Sequence, residues 1–116
     1  MTATLHIVFK VGGAEYAIPA ALVLQMESFA GATRVPGAPP YVAGIVQIRG
    51  KVIPVVDLRL RFGLPAIEAT LDSRIVVGQD GDRAVGLLVD SAREVLKIAP
   101  SEVSDPPSLV TDQAEG

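Results

Sequence analysis

The sequence predicts an all-β protein made of small barrels or a sandwich. Three observations lead there. Hydrophobic residues are 49% of the 116, yet aromatics are only 4% and Trp is absent. The core must therefore be assembled from Val, Ile, Leu and Ala, and β-branched side chains suit a pleated surface better than a helix. The apolar runs are short and alternate with a period of two. Turn residues separate them at regular intervals, as in small all-β folds.

The elements follow in order. Leu5–Val11 reads as a strand with Leu5, Ile7, Phe9 and Val11 on one face and His6, Val8 and Lys10 on the other. Gly12-Gly13 turns the chain, Glu15–Ile18 returns as a hairpin partner, and Pro19 ends it because proline cannot donate to a ladder. Ala20–Glu27 satisfies helix propensity and strand alternation alike. We read a turn at Ala20-Ala21 and then a strand, with Leu22, Leu24 and Met26 on one face. Val23, Gln25 and Glu27 form the other, outward face. Ser28–Arg34 is a loop or weak edge strand, and the prolines of Val35–Pro40 make a rigid connector.

The organising stretch is Pro36–Gly63. Two β-rich runs, Ile45–Ile48 and Val52–Val56, flank Arg49-Gly50-Lys51. A glycine-centred break of this kind predicts a hairpin, since Gly reaches positive φ without steric cost. Asp57 is placed to cap a short helical turn, with Arg61 four residues on and Gly63 as its stop. A strand through Arg74–Val77, an Asp80-Gly81 turn, a doubly buried strand at Ala84–Val89 and a last strand at Ala92–Ile98 complete the pattern. One domain over 1–116 is expected, with 104–116 a mobile tail.

Composition excludes several functions. A net charge of −3 and few aromatics speak against nucleic acid and against anionic membrane surfaces. No run has the length of a membrane span, and no cationic, apolar leader precedes Lys10, so a cytoplasmic address without membrane insertion is expected. Without Cys there is neither a disulfide framework nor a thiolate metal site.

Candidate chemistry is sparse. His6, the one histidine, reads as an edge or surface strand residue. Gly12-Gly13 lacks the surrounding pattern of a phosphate loop, and the acidic residues lack calcium-loop spacing. Asp90-Ser91-Ala92 partly resembles the Asp-Ser/Thr-Gly of homodimeric aspartic proteases, which share one proton between two carboxylates, but Ala92 replaces the glycine. Neither a catalytic constellation nor a cofactor or metal is called for, and a binding module is the better reading. Arg49 beside Gly50 is then the charge of most interest. Its planar donor fork suits pairing with a neighbouring strand better than the point charge of Lys51.

Pro39-Pro40-Tyr41-Val42-x-Gly44-Ile45-Val46-x-Ile48-Arg49-Gly50-Lys51-Val52-Ile53-Pro54-Val55-Val56-Asp57-Leu58-Arg59, followed by Phe62-Gly63, resembles the signature of CheW-like domains. Phe9–Pro19, Ser73–Val77 and Val85–Asp90 match in the same order, so the resemblance runs over residues 5–107. It implies two small interleaved five-stranded β-barrels and a non-enzymatic adaptor of chemotaxis. The implied partners are a CheA histidine kinase and the cytoplasmic tip of methyl-accepting receptors. A CheW-like regulatory or array-assembly module of a non-motility pathway is the alternative. The residues carried over as receptor- and kinase-binding are Val23, Gln25, Gly44, Arg49, Gly50, Val52 and Gly86.

Two departures accompany the resemblance. Gln25 stands where the family has a Glu paired with the hairpin Arg, so Arg49 is expected to pair with Gln25 or Glu27. The family also continues beyond the Pro106-Pro107 region with an apolar hairpin and a terminal helix, which complete one barrel. The expectation is therefore a C-terminally short domain with a tendency to self-association.

Overall fold

The computed structural model describes residues 4–98. Eight strands and one short helix run β1 (Thr4–Val11), β2 (Ala14–Pro19), β3 (Val23–Ser28), β4 (Val42–Ile48), β5 (Lys51–Asp57), α1 (Leu58–Arg61), β6 (Arg74–Asp80), β7 (Arg83–Val89) and β8 (Ser91–Ile98). A single 3-10 turn at Ala20–Leu22 leads into β3, as the turn-then-strand reading requires. They form a three-stranded sheet ordered β2-β1-β8 and a five-stranded sheet ordered β3-β6-β7-β5-β4. The first sheet is interleaved with the second, because β8 returns to β1 after the whole five-stranded sheet has been made. The expected second set of five strands is three among the described residues. The expected tail over 104–116 lies outside them.

The five-stranded sheet contains one parallel pair, β5 with β7, and is otherwise antiparallel. It curls toward closure. The connector after β3 reaches the opposite edge strand, where Thr33 and Ile45 exchange backbone hydrogen bonds of 2.9 and 2.8 Å. Inside the curl sit Ile48, Ile53, Val55, Ile75 and Val77. A second cluster joins the two sheets. It takes Phe9 and Val11 from β1, Leu58 from α1, Val76 from β6, and Leu87 and Val89 from β7. The largest fully buried side chains among the described residues are aliphatic, with Phe9 the one aromatic among them. Burial of such surface at about 25 cal/mol per Å² is the main force holding the sheets together.

Local details follow from residue type. The Asp57 carboxylate accepts the Arg59 backbone N–H at 2.9 Å and caps α1 as expected, and the Gly63 N–H closes the turn on the Leu60 carbonyl. The β6–β7 turn falls on Gly81-Asp82, one residue later than expected, because Asp80 still pairs with Arg83. Two expectations on β1 are corrected. Leu5 is half exposed at the strand end, while Ile7, Phe9 and Val11 are buried. His6 is buried, because β1 is the central strand of its sheet and not an edge. Its Nδ1 lies 3.1 Å from the Thr4 carbonyl oxygen.

The largest correction concerns β3. Val23 packs against the cluster between the sheets and does not point outward, while Leu22, Leu24 and Met26 are exposed. The period of two holds, but the facing is reversed: Val23, Gln25 and Glu27 are part-buried, and Leu24, Met26 and Ser28 are exposed. β3 is an edge strand, and which of its sides is covered depends on what packs there, which alternation alone does not tell. The pairing with β6 also shifts register between Val23 and Gln25.

Candidate functional site

The β4–β5 hairpin is built around a two-residue turn. Ile48 pairs with Lys51, and the residues between them, Arg49 and Gly50, have φ of 52° and 79°. Positive φ at both positions is the type I′ signature, whose twist matches the flanking strands. Gly50 adopts it freely. Arg49 is, among the described residues, the one non-glycine residue held in this region. The left-handed conformation costs an L-residue about 1–2 kcal/mol, so a side chain is kept at this tip against a backbone penalty.

Arg49 is exposed, and the expected ion pair is absent. Among the described residues it makes no hydrogen bond or ion pair with Gln25 or Glu27. Those two bond each other instead, Gln25 Nε2 donating to Glu27 Oε2. A neutral amide satisfied by its own strand neighbour has no call on a distant guanidinium, which stays in water at no desolvation cost.

A groove of about 740 Å³ opens beside the hairpin. Its lining includes Glu27, the small residues of 30–33, Ile45, Gln47 and Val52. Val52 is 61% exposed, a β-branched apolar side chain held in water next to Arg49-Gly50. Leu24, 54% exposed, and Met26 add apolar surface on the edge strand β3. Sequence reasoning missed these two because it turned the more apolar face of β3 inward.

The seven carried-over residues thus divide. Arg49, Gly50 and Val52 come together, exposed, at the hairpin tip, and Gln25 is part-buried and tied to the groove wall through Glu27. The other three belong to the frame. Gly44 is buried at a bulge with φ of 145°, and a β-carbon there would lie 2.3 Å from the Thr33 carbonyl oxygen. Gly86 is buried in β7, where a β-carbon would meet Ile75 Cγ2 at 2.7 Å. Val23 lies on the inter-sheet cluster.

Asp90 is occupied as well. Both oxygens accept hydrogen bonds, Oδ1 from Arg59 Nε at 2.9 Å and Oδ2 from Arg59 Nη2 at 2.9 Å and the Gly12 N–H at 2.8 Å. The hydrogen bond to Asp90 raises the guanidinium pKa above its already high value, so Arg59 remains a cation. A carboxylate committed to a guanidinium cannot share a proton with a second carboxylate, and the protease reading falls with it. Among the described residues no cluster of His, Cys, Asp and Glu is arranged to hold a metal, and no helix is long and apolar enough to cross a membrane.

Known proteins share this fold. The CheW-like domain model matches residues 6–116. The chain is similar to the chemotaxis protein CheW of Bacillus subtilis, with 44% identity over 90% of this chain and 67% of that one. It is 36% identical to the chemotaxis protein CheW of Rhizobium meliloti, over 91% and 68% respectively. The crystal structure of the scaffolding protein TtCheW from Thermoanaerobacter tengcongensis matches with a TM-score of 0.82 at 31% identity, covering 94% of this chain and 75% of that one. The chain spans about two thirds of the length of the relatives it matches.

Proposed function

The chain belongs to the CheW-like domain family, and we propose from this premise that it is a chemotaxis adaptor that couples the cytoplasmic tip of methyl-accepting receptors to a CheA-type histidine kinase. It does so by binding, without turnover, and in the cytoplasm, where both partners present these parts. One observation carries the reading onto this chain's own residues. The Arg49-Gly50 tip is exposed, fixed by a type I′ turn and flanked by the exposed Val52 and a groove of mixed polar and apolar lining. A rigid element that displays a guanidinium next to unpartnered apolar surface is suited to recognising a protein face, because little conformational entropy is lost on docking. The exposed Leu24 and Met26 on β3 supply a second apolar face for the other partner.

The test is reconstitution of the full chain with receptor and kinase. Receptor-dependent stimulation of kinase autophosphorylation, reduced by Arg49→Ala in a protein that still folds, is the expected result. Failure of the wild-type chain to bind either partner would sink the proposal.

A further inference from the structure

Asp90 was singled out by its place after an apolar strand, and the adaptor reading gives it no role. It lies between β7 and β8, where the chain leaves the five-stranded sheet for the three-stranded one. Its backbone N–H donates to the Lys10 carbonyl at 2.9 Å, and its Oδ2 accepts the Gly12 N–H in the β1–β2 turn. Arg59 of α1 grips both oxygens and donates from Nη1 to the Pro65 carbonyl at 3.2 Å. The Asp57 cap fixes the Arg59 backbone in turn. One carboxylate thus ties together the β1–β2 turn, α1 and the crossover corner.

The rest of the joint has a different character. Phe9, Val11, Leu58, Val76, Leu87 and Val89 give adhesion between the sheets, but apolar contact is non-directional. A bidentate guanidinium–carboxylate pair is directional. With side chains about one fifth exposed, it is also partly screened, and so contributes more to geometry than to stability. We infer that Arg59 and Asp90 are positioning residues that hold the two sheets at one relative orientation.

The test compares wild type with Arg59→Lys and Asp90→Asn in the full chain. Thermal unfolding is followed by circular dichroism, and sheet orientation is read from residual dipolar couplings of β1–β2 against β5–β7 amides. Both variants are expected to unfold cooperatively near the wild-type temperature. One alignment tensor, with the two sheets oriented as in this structure, should fit wild type and fail in the variants. Unchanged orientation in both variants would overturn the inference. So would loss of cooperative unfolding in both, since the pair would then be a stability element.

Discussion

Gly44 lies so close to Thr33 that a β-carbon on it would stand 2.3 Å from the Thr33 carbonyl oxygen. The approach is needed because Thr33 and Ile45 exchange two backbone hydrogen bonds, which draw the connector onto β4 and form a wall of the groove. Gly44→Ala must move this wall and also force an L-residue to a φ of 145°. The expected cost is about 1–3 kcal/mol for the backbone region alone. Urea unfolding measures it, and faster amide exchange at Thr33 and Ile45 locates it. Lost partner binding with an unchanged midpoint would instead make Gly44 a direct contact.

Gly86 tests the same logic in the core. Its missing β-carbon would meet Ile75 Cγ2, a methyl on a β-branched carbon with little freedom to move. Gly86→Ala should destabilise by about 1–3 kcal/mol through overpacking. Adding Ile75→Leu removes that methyl and should recover part of the loss. No recovery in the double variant would show that the strain lies elsewhere.

The Arg49 tip predicts a trade between stability and binding. Asn is favoured before Gly in a type I′ turn, so Arg49→Asn should stabilise the fold by about 1 kcal/mol. The same change removes the exposed guanidinium and should weaken receptor coupling. Chemical denaturation and the reconstituted kinase assay read the two effects independently. A variant that is both less stable and fully coupled contradicts both halves.

On β3, neighbouring residues should behave oppositely. Val23→Asp puts a carboxylate against the inter-sheet cluster and should cost about 1–3 kcal/mol, the range for a polar group buried without a partner. Leu24→Asp changes a side chain already in water and should alter stability by no more than about 0.5 kcal/mol. Thermal melts of the two variants are the check, and a kinase-binding titration of Leu24→Asp shows whether that face docks. Equal loss of stability in both would contradict this facing of β3.

Local chemistry alone was enough to mark most of the framework. Alternation identified β1, an unbroken apolar run identified β7, and the glycine-centred break identified the β4–β5 hairpin. The Asp57 carboxylate announced the cap of α1, because a cap depends on residues a few positions apart. The long central pattern placed the chain in its family for the same reason.

What the sequence could not decide is whatever depends on residues far apart in the chain. β3 kept its period but reversed its facing, with Val23 on the core and Leu24 in water, because which side of an edge strand is covered depends on what packs there. Arg49 stands free of Gln25 and Glu27 because those two satisfy each other once β3 is extended. Arg59 and Asp90, 31 positions apart, meet because β5 and β7 pair in parallel, which sets the residues after Asp57 beside those after Leu88. Turns, caps and alternation are local energies written in neighbouring residues. Facing, pairing and latching are set by register and by which groups burial leaves without another partner, and only the folded chain determines those.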